Sequence, residues 1–218
     1  AADLSKSVKA GGKHPFVADA WLPSDATRGE LAESWEWKEK PLRVEIKLRK
    51  GIMWPDKPGV MKSREFVADD VVFTYTRLDS SPRKIKGYFD HIAKVHAPDK
   101  HTVIFEFKDY FAEWDYRFGY GYFSGIYPKE VVEAGANNWK NVNGTGPYML
   151  TDFVSGNSNV YTKNPGYWDK DKIGGQEYKL PFIDKIVYRT IKDEATYITA
   201  LRTGKLDILE TIRWQNVD

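Results

Sequence analysis

The chain has no cysteine. It can form no disulfide, hold no thiolate nucleophile and build no cysteine-ligated zinc site, which suits a periplasm and a cytosol equally. Long apolar runs are missing as well. No stretch approaches the roughly 18 residues that a membrane span requires, and the opening Ala1-Ala2-Asp3-Leu4-Ser5-Lys6 lacks the apolar core of a signal segment. The first residue is not Met, so processing or a deliberate cut is expected, and with it a longer gene product. An excess of one charge is also absent: 33 basic and 31 acidic residues leave a formal +2. That is too small a field to draw the chain onto nucleic acid or anionic lipid. Charged residues at 29% and hydrophobic ones at 41% are ordinary for a chain that folds in water, and exclude the disordered class.

What remains is a chain of 218 residues, enough for one large domain or two small ones with a sizeable core. Aromatic residues, at 15%, supply both core and rigid stacking surface. From Ala1 to about Arg28 no period is sustained, and an extended or loosely ordered leader is expected. Arg43 to Arg49 alternates charge and aliphatic strictly, the pattern of a strand with one wet face. A loop around Trp54 follows, then a helix over Ala68 to Leu78 with Val71, Val72, Tyr75 and Leu78 at helical spacing. Ile92 to His96 and His101 to Phe107 read as a hairpin turning at Ala97-Pro98-Asp99-Lys100. Short helices are expected over Phe111 to Phe118 and, after Pro128, over Lys129 to Ala134. Tyr148 to Val154 and Val160 to Lys163 read as two antiparallel strands. Ile183 to Ile191 then reads as a strand, Asp193 as an N-cap, Glu194 to Thr203 as a helix closed by Gly204, and Leu206 to Leu209 as a further strand. That order predicts a right-handed βαβ crossover with a parallel pair, and puts Glu210 and Thr211 at a strand's carboxyl end, where ligands of open α/β sheets gather. No internal repeat is present.

The patterns of catalysis are weak. Gly121-Tyr122-Phe123-Ser124-Gly125 superficially resembles a nucleophile elbow, but its serine is fourth rather than third and all four histidines lie upstream. His91, His96 and His101 recur every five residues, which suits neither helical nor strand metal pairs, so solvated hairpin histidines are expected. Gly144-Thr145-Gly146 runs into Pro147-Tyr148, and proline removes an amide that a phosphate cradle would use. Asp69-Asp70 and Asp193-Glu194 sit at helix starts, where the dipole accounts for them. No pair of carboxylates facing one cleft, as glycoside hydrolysis demands, is evident. Gly119 to Tyr127 interleaves four aromatics with three glycines; inward-packed rings and a ligand-facing wall both remain open on local sequence.

Six landmarks in register resemble the oligopeptide-binding type of extracytoplasmic solute-binding proteins, family 5, from Gly29 nearly to the end. Gly29 to Glu36 is similar to "LAESWE", and Val44 to Trp54, with Leu48-Arg49-Lys50-Gly51, to "F-x-LR-x-G-x-x-W". Ala68 to Thr74 resembles the "TAxDVVFS" helix start, with Val67 where threonine is usual, so Asp69 or a neighbour has to cap. Gly144 to Tyr148 matches "GTGPY", Lys163 to Trp168 "xNPxYW", and Leu201 to Asp207 "LxxGxID".

The resemblance implies an α/β fold: a first lobe like that of a type II periplasmic-binding protein, carrying an inserted α+β subdomain. Residues 1–40 would be leader and start of the lobe, 41–138 the insert and 139–218 the lobe core, with the second lobe outside this chain. It implies no enzyme and no cofactor, but a monomeric receptor for an ABC importer. Such a receptor captures peptide or oligosaccharide between two lobes and hands it to membrane permease subunits, without nucleic acid. Its place would be the periplasm, or the outer face as a lipoprotein. Ligand contacts are expected at Tyr122, Phe123 and Ser124, at Glu210, Thr211 and Trp214, and at Tyr88. The alternative is the solute-sensing domain of a cytoplasmic transcriptional regulator.

Overall fold

The computed structural model describes residues 3–8, 11–14, 24–82, 84, 86–87, 89–114, 125–210 and 212–214. The strict alternation after Pro41 forms β2, Leu42–Leu48, which pairs antiparallel with β1, Ala32–Glu39. β1 was not expected as a strand. It and β2 form one hairpin, so the sheet begins at Ala32 and the expected division at 40/41 falls inside the turn. With β5, Ile92–Asp99, and β6, Thr102–Phe107, they build a four-stranded antiparallel sheet in the order β1-β2-β6-β5.

Val44 and Leu48 point to one face, while Arg43, Glu45 and Lys47 point to the other. The charged face is laced by Lys38 and Arg43 on Glu45, each at 2.9 Å. The apolar face receives α1, Ala68–Asp79, which buries Val71 and Tyr75. Tyr75 meets Phe105 at 4.8 Å and Phe89 at 5.6 Å, both edge-to-face, and burial pushes its phenol above the ordinary value. Trp54 in β3, Met53–Trp54, and Phe66 beyond β4, Arg64–Glu65, complete this core.

Val67 occupies the N-cap of α1 without an acceptor side chain. Asp70, three residues on, takes the Val67 N–H at 3.0 Å, the reciprocal half of a capping box. The hairpin turns later than Ala97–Lys100: β5 continues to Asp99, which pairs with Thr102 across Lys100-His101. Asp99 Oδ1 accepts the His101 N–H at 2.9 Å, and Glu65 holds Lys100 at 2.6 Å and His101 at 3.1 Å, fixing the tighter loop. Pro98 is tolerated because β5 is an edge strand. α2, Lys129–Glu133, follows Pro128 at its N-cap, with Gly135 at φ +103° just beyond its C-cap. The second half of the expected helix over Phe111 to Phe118, beyond Trp114, lies outside the described residues.

A second sheet, antiparallel, has the order β11-β8-β7, from β7, Tyr148–Val154, β8, Ser158–Lys163, and β11, Lys185–Arg189. Between β8 and β11 an unexpected hairpin joins β9, Lys170–Ile173, to β10, Gln176–Lys179, across Gly174-Gly175 at φ +59° and +86°. Asp193 caps α3, Glu194–Arg202, by accepting the Thr196 N–H at 2.8 Å. The expected strand Leu206 to Leu209 and its parallel pairing do not form among the described residues. The N–H groups of Lys205 and Leu206 turn back onto the Ala200 carbonyl at 2.8 and 3.1 Å, spending donors a strand would need. In the leader, Ser7 bridges His14 and the Asp3 N–H reaches the Ala26 carbonyl at 2.8 Å, so its described part is turned back on itself rather than extended.

Candidate solute-facing surface

Three of the sequence landmarks meet at one joint. The Arg49 guanidinium stacks over Trp168 at 4.8 Å and donates to the carbonyls of Glu30 at 2.8 Å and Gly29 at 3.4 Å, while its backbone N–H donates to Leu31 O at 2.9 Å. A Cβ at Gly29 would collide with the Ala32 carbonyl, which is why the strap needs glycine there. Arg28 pairs with the nearly buried carboxylate of Asp169, and that hydrogen bond holds the guanidinium above its ordinary value. Asn164 laces a fourth landmark to this one: its side-chain amide donates to Gly146 O at 2.9 Å and its N–H to Pro147 O at 2.8 Å.

Beside the joint lies an open cleft of about 340 Å³, walled by Pro147, Tyr148, Tyr167, Phe182 and Ile183 with Arg28 at its margin. Burial, then the charges of Glu30 and Asp169, push the Tyr167 phenol up to about 12. The Tyr148 hydroxyl is engaged with Ile183 O at 3.0 Å. Neutralised charge and ring walls suit binding; no nucleophile here lies beside a base.

The seven residues expected at the ligand fare unequally. Tyr88, Tyr122, Phe123, Ser124 and Thr211 lie outside the described residues. Glu210 and Trp214 are both exposed, Trp214 to 87%, and neither has a hydrogen bond, ion pair or ring contact among the described residues. Arg213 ties their segment back to α3 through Glu194 at 3.3 Å.

Both flanks of the aromatic stretch are anchored, the first on the four-stranded sheet and the second on α1 and β4. On the N-terminal side, Trp37 packs on Phe107, Tyr110 and Trp114 at 5.1, 5.3 and 5.7 Å. On the C-terminal side, the Tyr127 N–H donates to Thr74 Oγ1 at 3.0 Å, and that hydroxyl donates to Tyr127 O at 3.3 Å. Arg64 then bonds Glu130 at 2.7 and 2.9 Å and Asp70 at 2.7 and 3.0 Å, while Asp70 also accepts the Trp54 indole at 3.0 Å. The two carboxylates hold Arg64 above its ordinary value, and Arg64 holds Glu130 below. Sequence reading missed Thr74, Arg64 and Glu130, since their partners lie 53 and 66 residues away.

The histidines are not solvated as expected, because each is half-buried against its own neighbours. His91 stacks on Phe111 at 4.1 Å, His96 Nδ1 lies 3.4 Å from Glu106, and His101 bonds Glu65. They face three different partners, and no group of three or more metal-ligating side chains gathers among the described residues.

Both faces of the second sheet carry apolar side chains: Met149, Val154, Val160 and Val187 on one, interspersed with Asp152, Ser158, Thr162, Lys185 and Arg189, and Leu150, Phe153, Tyr161, Ile186 and Tyr188 on the other. None of these is buried, and α3 buries no residue either.

Comparison with known proteins agrees with this geometry. The chain is 29% identical to di/tripeptide-binding protein 2 of Pseudomonas aeruginosa strain UCBPP-PA14, an alignment covering 94% of the chain and 41% of that protein. It thus spans less than half the length of that relative. Its fold resembles the periplasmic binding protein DppA of Helicobacter pylori in complex with the peptide STSA, at TM-score 0.68 and 27% identity over 82% of this chain and 37% of that one. It also resembles MoaA of A. tumefaciens R10 in complex with mannopinic acid, at TM-score 0.69 and 27% identity over 84% and 35%. These matches carry the α/β architecture of type II periplasmic-binding proteins, in a chain whose own described strands all pair antiparallel within their sheets. The model of the bacterial extracellular solute-binding proteins, family 5 Middle, matches residues 26–218, and the chain belongs to that family.

Proposed function

We propose that this chain is part of the substrate-binding component of an ABC importer, which takes up peptides outside the cytoplasm and delivers them to a membrane permease. The observation that carries the reading is the family match over residues 26–218, and the peptide-binding relative and peptide-bound structural neighbour support it. The protein acts as a receptor rather than an enzyme. The two nearly buried carboxylates among the described residues, Asp70 and Asp169, are each committed to an arginine, which leaves neither poised as acid or base. In this reading the leader and residues 139–218 form lobe core. The insert starts at Ala32, where the first sheet starts, and ends near 138. Glu210 and Trp214, exposed and unengaged among the described residues, are proposed as solute contacts, as are Tyr88, Tyr122, Phe123, Ser124 and Thr211 on the family resemblance.

The test is to express the complete gene product in its natural compartment, purify it without refolding, and compare native with denatured mass. The expected difference is a spread of peptide masses. A single hexose or pentose series would move the reading to a sugar receptor, and no adduct would overturn it in favour of a regulator's sensor domain.

A further inference from the structure

Four described tyrosines are largely exposed: Tyr110, Tyr127, Tyr178 and Tyr188. Tyr110 has its ring against Trp37, Tyr188 against Tyr161, and Tyr178 against Phe182 with its hydroxyl on Gln176. Tyr127, 46% exposed, has neither a ring partner nor a hydroxyl partner among the described residues. Its backbone is nevertheless held by a side chain of another element. Both its N–H and its carbonyl close on one hydroxyl, that of Thr74, which is 3% exposed in the middle of α1. The next residue, Pro128, is fully buried, and two residues later Glu130 is locked to Arg64. The Tyr127 ring folds back along Gly125, where a Cβ would stand 3.5 Å from the phenolic oxygen.

A fixed backbone beneath an unengaged, half-exposed ring is what a preorganised contact requires. Ordering is spent before the ligand arrives, and both the π-face and the hydroxyl remain available. We infer that Tyr127 is a ligand-contacting residue and Thr74 its positioning residue. The ring would lie along an apolar side chain of a bound peptide, while the hydroxyl bonds a main-chain amide or carbonyl. This inference rests on the peptide-receptor reading and deepens it, because it names a contact that no landmark residue supplies.

The test uses the complete gene product, freed of carried-over solute, with two probes of equal length, tri-alanine and tri-leucine, and titration calorimetry. Tyr127→Ala is expected to weaken tri-leucine roughly tenfold and tri-alanine less, and Tyr127→Phe to weaken both about threefold. Thr74→Val, which keeps the shape and loses the hydroxyl, should weaken tri-leucine about fivefold, with Thr74→Ser restoring it to within about twofold. A purely structural threonine would change melting temperature without changing the ratio between the probes. Wild-type affinity for both probes in Tyr127→Ala overturns the inference while leaving the receptor reading intact. Wild-type protein that binds neither probe, and carries no peptide when purified, overturns the receptor reading and the inference together.

Discussion

Asp70 shows how much one side chain can organise. Its carboxylate receives the Trp54 indole, the Val67 N–H and two Arg64 nitrogens, so a single buried group caps α1, orients the largest core ring and anchors Arg64. Asp70→Ala would leave Arg64 and the indole without their acceptor. A loss of about 3–5 kcal/mol is expected from urea midpoints, against under about 1 kcal/mol for Asp69→Ala on the exposed side of the same turn.

Glu65 makes a pH prediction. Lys100 first, then the Gly51 N–H and His101, hold its pKa down at about 2, against the ordinary 4.5. Since the folded value is the lower, its contribution is fully present above about 4.5 and is lost as pH falls towards about 2. Glu65→Gln should therefore be less stable than wild type at neutral pH. The two urea midpoints should converge on acidification through that window, and a gap that persists at its acid end would refute the assignment.

At the scale of elements, what could be read from the sequence was what short range decides. β2 announced itself because one face is wet, and α1 and α3 because their caps and apolar spacing are local. β1 was passed over, although Trp35, Trp37 and the charges between them alternate as a strand should. The β9–β10 hairpin was also passed over, although Gly174-Gly175 between two four-residue runs is a turn signal. The parallel strand after α3 was inferred from order alone, and order does not say where N–H groups go once a helix ends; Lys205 and Leu206 gave theirs to Ala200. Of the expected ligand residues, only Glu210 and Trp214 lie within the described residues, and Thr74 was out of reach because it bonds across 53 residues. With no residue of α3 buried, that helix depends on its cap more than α1 does. Asp193→Ala should cost it about 1 kcal/mol, read as roughly fivefold faster amide exchange within Glu194–Arg202 and unchanged exchange in α1.

At the scale of the whole molecule, the two sheets are unequally finished. The first has a core of buried side chains under one face and charges on the other. The second has apolar side chains on both faces and none of them buried. Isolated, these 218 residues should bind an apolar-surface dye such as anilinonaphthalene sulfonate strongly. On the proposed peptide-receptor reading, the complete gene product should bind the dye weakly and hold peptide far more tightly, because a two-lobed receptor needs both lobes to close on a solute. Equal dye binding, or equal peptide affinity by calorimetry, would count against the second sheet's being a surface that the rest of the protein covers.

The same inequality sets an order of events during biosynthesis. A polypeptide that emerges N-terminus first has every strand of the finished sheet, and the helix that covers it, in hand once Phe107 is out. It can close a cooperative unit there, before β11 exists. The later strands then wait with their apolar side chains still uncovered, in the window in which a holdase or a secretion machine has most to grip.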